Sequence, residues 1–227
     1  MSYIVASCVM VLAVALSYVA LNKELATKVK LFNASDIDEN FTSKDISPKT
    51  QIVICAMIAA VAFLVTAKVC DYVSNPIGIA KMLIAFICMT GASCFDFREK
   101  RIPNIFPLIM AVSAIILLLL GVILKQNGAV QYLTGNIISA VVCGILFFIA
   151  AFITGQGIGA GDIKLIIALA LLGGVYTIVG TLLYGVLACS VVAVLALLFK
   201  KKKIKESLPF GPFLYVGFII TVFFMNF

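Results

Sequence analysis

From Ile105 to Leu124 the chain runs without a single charged residue. At about 1.5 Å of rise per residue, a helix of that length reaches roughly 30 Å, the thickness of a bilayer's hydrocarbon core. Comparable apolar segments recur at about 3–21, 51–70, 77–95, 104–124, 129–153, 163–176, 178–199 and 209–226. Within lipid only helices and closed barrels satisfy their own backbone polar groups. Segments of this length predict an all-α polytopic transmembrane helix bundle of about eight spans. The composition agrees: 63% of residues are hydrophobic and 12% charged, where a soluble domain is about half apolar and about a quarter charged. The first segment has no basic residues ahead of it and resembles the later ones, so it reads as a helix, not a signal peptide.

The longest polar stretch, 22–50, mixes lysines with Asp36, Asp38, Glu39 and Asp45, and is too poor in apolar residues for a core of its own. It reads as a loop or small hairpin at the membrane surface. The chain then divides into two N-terminal helices with this loop, 1–76, and a six-helix unit, 77–227. Lys and Arg set the orientation. Fourteen of the 17 fall in the loops 22–50, 96–103, 154–164 and 200–208; only Lys68, Lys81 and Lys125 fall on the other side. The first set is expected in the cytoplasm, with both termini outside. The segment 163–176 is short for a full crossing, but without it the Lys200–Lys203 run would land on the wrong side. The net charge of +7 needs no nucleic acid, since topology and contact with anionic lipid account for it.

There is no histidine. That removes Ser-His and Cys-His nucleophilic pairs, His-ligated zinc and the H-E-x-x-H pattern. None of the seven cysteines forms C-x-x-C, and nearly all lie in apolar runs, as small buried hydrophobes do. The sequence therefore offers no metal site and calls for no cofactor.

Two acidic residues stand outside the polar loop at helix ends. Asp96 closes the third segment in CFDFREKRIPN, and Asp162 opens the sixth in GIGAGDIKL. Both fall on the side expected to be cytoplasmic. Carboxylates at membrane depth are costly and usually functional. Two that share a site cannot both ionise easily, so the pair retains one proton. One can then act as base on a water while the other donates to a carbonyl oxygen or a leaving amine. Gly159 and Gly161 remove side chains around Asp162, so that backbone or substrate can approach. Each aspartate also has a plainer reading: Asp162 as a helix cap, Asp96 as a surface ion pair with Arg98 in a polar loop. Lys164 is either a surface charge or a partner for substrate or carboxylate. Pro209, Gly211 and Pro212, like Pro103 with Asn104, fit helix starts.

Three of these stretches, in this order, resemble the type IV prepilin leader peptidases and the related archaeal preflagellin peptidases: Asp96 to Asn104, ending Ile-Pro-Asn; the GxGD motif from Gly159 to Asp162, followed by Ile-Lys-Leu; and Pro209-Phe-Gly-Pro-Phe-Leu214. GxGD alone is a weak signal, but the three in order are specific. The likeness spans about 78–226. It implies a membrane aspartic peptidase with Asp96 and Asp162 as the catalytic pair. Gly159, Gly161, Lys164, Pro103, Asn104, Pro209, Gly211 and Pro212 would bind substrate or shape the site. It implies prepilin-like partners, a multi-pass place in a prokaryotic cytoplasmic membrane, and removal of a short basic leader after a glycine at the cytoplasmic face. The acids of 36–45 would complement such a leader. Many bacterial members carry a zinc domain with C-x-x-C pairs after the first helix and also N-methylate the new terminus. Here 22–50 contains no cysteine, so the likeness is to compact, peptidase-only members.

Three other readings compete. An ion- or proton-coupled transporter would use the aspartates as ion sites, but such proteins show inverted repeats and sites near mid-membrane; neither is evident here. A presenilin-like protease shares GxGD, yet this chain lacks the Pro-Ala-Leu run and the Tyr-Asp setting. A purely structural membrane subunit leaves the clustered motifs unexplained.

Overall fold

The computed structural model describes residues 11–13, 15, 57–62, 64–69, 75–126, 128–154, 159–198 and 209–224. Most of the segment 3–21, the loop 22–50, the basic run 200–205 and both chain ends lie outside these residues, as do the termini's predicted sides. The described residues are all-helical. A short apolar helix, α1, covers Met57–Val69. It is followed by α2 (Pro76–Glu99), α3 (Ile105–Ile123), α4 (Ala129–Ile153), α5 (Ala160–Leu198) and α6 (Gly211–Phe224). Among them α2 to α5 are long and apolar enough to cross a membrane, while α1 and α6 are shorter. This is a membrane protein with at least four such helices.

Local chemistry sets the ends of α2. The Asn75 side chain accepts from the Ile77 amide at 3.0 Å, and Pro76 occupies the first turn, where its missing N–H is no loss. At the other end Lys100 adopts φ 52°, ψ 32°, and its amide reaches the Asp96 carbonyl at 2.8 Å. The helix thus runs four residues beyond the predicted 77–95. The next breaker is Pro103, which disfavours helix at the residue before it. Asp96, Arg98 and Glu99 are buried on this last turn, which corrects the alternative reading of Asp96 as a surface ion pair in a polar loop.

The core of the bundle is apolar, with Phe86, Phe95, Leu169 and Phe218 fully buried, but α4 contributes little to it. The buried residues of α4 are Asn136, Ser139, Ala140 and Cys143. Most of its large apolar side chains, Phe152 at 83% exposure among them, face outward, while Phe147 packs against the core. In lipid there is no hydrophobic force between helices, so small and polar residues make the contacts. Asn75 and Gln126 exchange side-chain hydrogen bonds of 2.9 and 3.1 Å, which puts the start of α2 and the α3–α4 turn at one end. Lys125 and the exposed Tyr132 lie at that same end, as aromatic residues do at an interface.

As one straight rod, α5 would be roughly 58 Å long, more than the whole bilayer. It is broken at Gly174, with φ 78° and ψ −173°. The earlier limb starts against Ile102 and runs to Asn136, with Ile167 beside Gly144 on the way. The later limb is antiparallel to α6: Gly180 faces Thr221, and Gly185 faces Phe213 and Leu214. Because α6 begins beside Asp96, the later limb returns toward the end where the earlier one began. The segments expected at 163–176 and 178–199 are therefore two limbs of a hairpin with its joint at Gly174. The earlier limb runs from beside Ile102 as far as Asn136, the eighth residue of α4.

Candidate active site

The end of the bundle opposite the α3–α4 turn gathers three distant pieces of sequence. Asp96, on the last turn of α2, is 5% exposed. Its Oδ2 accepts a hydrogen bond of 2.7 Å from the amide of Gly211, 115 residues later. That amide is free because it opens α6, where first-turn N–H groups have no helical partner. A methyl group on Gly211 would meet Asp96 Oδ2 at 2.9 Å and its Cβ at 3.0 Å. Gly211 is therefore a place where backbone must touch a carboxylate. Pro212 follows in the first turn, and Pro209 and Phe210 lead in, half-buried.

Asp162 occupies the first turn of α5, inside the helix, not before it. The backbone amide of Gly159 bonds its carboxylate. The capping reading is thus half right: the side chain reaches back three residues to an orphan amide, as the acid of a capping box does. Its other oxygen, Oδ1, is buried and has no protein partner among the described residues. Asp96 is near enough for its charge to act on Asp162, and Lys100 is near enough to act on Asp96. One end of the bundle thus holds two interacting carboxyl groups, one of them with an unused oxygen.

The two GxGD glycines do different work. Gly159 leaves room for Asp162 itself, since a methyl there would meet Oδ2 at 2.9 Å. Gly161 packs on the Ile102 backbone; its methyl would lie 3.3 Å from the Ile102 carbonyl oxygen and 3.1 Å from Cβ. The expected approach to Gly161 is therefore made by the protein's own chain. Ile102 itself was not legible as a site residue, because nothing in an isoleucine signals that its backbone is the contact. Beside it, the Lys164 ammonium donates to Asn104 Oδ1 at 3.0 Å at the exposed rim. Pro103, half-buried between Ile102 and Asn104, accepts from the Phe106 amide at 3.3 Å as α3 begins. All ten residues singled out from the sequence lie at this end. Among the described residues no cluster of three or more His, Cys, Asp or Glu is placed to hold a metal ion.

Fold and site together define a helical membrane protein with paired carboxylates at one end of its bundle. The type IV leader peptidase family matches residues 83–197, just over half of the chain, and the protein belongs to that family. It is accordingly a membrane peptidase. The match covers Asp96 and Asp162 but stops before Pro209; the Gly211 contact is what ties the third stretch to the first. No curated protein and no solved structure matches the chain.

The glycine contacts rank two substitutions. Gly211→Ala pushes directly on the Asp96 carboxylate, and misplacing a reacting group by about 1 Å costs on the order of 10²-fold. Gly161→Ala displaces the Ile102 loop by a few tenths of an ångström and is expected to cost less than tenfold. Parallel peptidase assays on the two purified variants check the order; equal losses would refute it.

Proposed function

We propose that the protein is an aspartic endopeptidase that cuts the short basic leader from type IV prepilin-like precursors. Cleavage falls after a glycine, at the cytoplasmic face of the cell membrane. Asp96 and Asp162 are the catalytic pair, and 77–227 is the peptidase unit. The observation that carries this reading is the meeting of Asp96, the GxGD turn and the start of α6 at one end of the bundle, with the two carboxyl groups near enough for the charge of one to act on the other.

The chemistry follows from the groups present. A dyad that retains one proton offers a carboxylate to take a proton from water and a carboxylic acid to donate to the scissile carbonyl oxygen. The tetrahedral intermediate collapses as a proton passes to the leaving amine. Gly211 holds one oxygen of Asp96 and the Gly159 amide holds one of Asp162, and the unused Oδ1 of Asp162 is the oxygen that would face the water. Lys164 and Asn104, hydrogen-bonded to each other at the exposed rim, would meet a peptide entering from the aqueous side. Neither metal nor cofactor enters these steps, and methyl transfer to the new terminus is not part of the proposal.

The direct test incubates purified, lipid-reconstituted protein with a prepilin-like peptide carrying a basic leader, a glycine and an apolar helix. Mass spectrometry should show one cut, after the glycine. A transporter using the same aspartates would leave the peptide intact and move protons or cations into vesicles instead.

A further inference from the structure

Asp162 and Asp96 are held by different limbs of the hairpin. Asp162 rides on the earlier limb of α5. Asp96 is bonded to the start of α6, and α6 lies along the later limb, where Gly217 packs on the Thr181 carbonyl. The covalent joint between these limbs is Gly174. The angle at that joint, together with the contact of Gly161 on Ile102, therefore bears on how far apart the two carboxyl groups sit.

The joint has a dedicated partner. In an unbroken helix the carbonyls of Leu171 and Leu172 would accept from the amides of Val175 and Tyr176. Gly174, with φ 78° and ψ −173°, interrupts the helical backbone just after them. Asn136 of α4, only 7% exposed, bonds these same carbonyls: its Nδ2 donates to that of Leu171 at 2.9 Å and to that of Leu172 at 3.4 Å. Irregular backbone at membrane depth survives only where protein satisfies it in this way. The fit is close on both sides, since a methyl on Gly174 would meet Asn136 Oδ1 at 2.6 Å. The positive φ independently favours glycine there.

We propose that Asn136 is a positioning residue that fixes the Gly174 joint and so sets the separation of Asp162 from Asp96. Its effect on cleavage rests on the reading of those two residues as the catalytic pair; its effect on geometry does not. The lever is long: 12 residues of helix separate Asp162 from Gly174, or roughly 18 Å, so a tilt of about 5° moves Asp162 by roughly 1.5 Å. A displacement of that size is enough to cost on the order of 10²-fold in rate.

The test is Asn136→Leu in the full chain. Leucine keeps the same branching and number of side-chain heavy atoms, and interhelical hydrogen bonds in membranes stabilise only weakly, so the bundle should still fold. Two readouts are taken. Spin labels introduced through non-canonical amino acids at Ala160 and Val216, both exposed, report the distance between the earlier limb and α6. Steady-state cleavage of the prepilin-like peptide reports kcat and KM separately. The expected result is a shifted or broadened distance distribution, with kcat reduced 10- to 100-fold and KM within about twofold. Gly174→Ala, which strains the same joint from the other side, should reproduce both changes and decides alone if Asn136→Leu does not fold. An unchanged distance distribution overturns the proposal whatever cleavage does, and so does a changed distribution with unaltered kcat. If the parent protein fails to cut the peptide, the peptidase reading fails, while the distance measurement still decides the joint.

Discussion

Replacing either Asp96 or Asp162 by Asn is expected to lower cleavage by on the order of 10³-fold or more, with the bundle still folded. General acid–base groups commonly contribute 10²- to 10⁴-fold, and members of a unit that acts together cannot cover for one another. Asn is the informative choice because it keeps the shape. In Asp96→Asn the amide oxygen still accepts from the Gly211 N–H, so the α2–α6 contact persists. In Asp162→Asn the amide oxygen still accepts from Gly159, so the first turn of α5 stays capped. Melting temperatures should therefore move little while turnover collapses. Cleavage at the parent rate by either variant would remove that residue from the mechanism.

Gly217→Leu is expected to prevent folding of the bundle or lower its melting temperature drastically. A methyl at Gly217 already collides with the Thr181 carbonyl oxygen and would lie 2.9 Å from the Gly185 Cα. These are backbone atoms, and no rotamer change moves them aside. Overpacking a core costs ~1–3 kcal/mol where side chains can yield, so this site lies above that range. The contrast is Gly135→Ala. There a methyl meets nothing within 4 Å, and exchanging a mid-helix glycine for alanine stabilises by roughly 0.5–1 kcal/mol. Thermal melts of the two variants in the same lipid-detergent mixture check the prediction. A Gly217→Leu protein that melts with the parent would mean that α6 does not pack on the later limb of α5 as described.

Hydropathy carried much of the fold. The run 129–153 is matched to the residue by α4, and 104–124 by α3 within one residue at each end. The misjudged boundary was 77–95, because Asp96, Arg98 and Glu99 look like loop residues by polarity and yet are buried on the last turn of α2. Polarity reports what a side chain costs in lipid, not where a helix stops; the stop is set by the backbone at Lys100 and by Pro103. The sixth segment, 163–176, was legible as short, but its residues do not tell a kink from a reversal. Only the pairing of the later limb with α6 decides that. The candidate site was legible as residue types: two carboxylates, two glycines before one of them, and a proline-glycine turn. Which atoms touch was not. The Asp96–Gly211 bond joins positions 115 apart, and spacing along a chain says nothing about such a meeting. Asn136 was visible as an amide inside an apolar run, but its role depends on which backbone breaks beside it.

The inward face of α4 has a practical consequence. A helix whose fully buried residues are an asparagine, a serine, an alanine and a cysteine turns most of its large side chains to what surrounds the protein. The hydrocarbon around α4 is thus a structural component of the enzyme, and Asn136 transmits its influence to the joint of α5. The choice of detergent or lipid during purification then becomes an experimental variable of the same rank as pH: it acts on the distance between two aspartates that lie at the far end of the molecule from that joint.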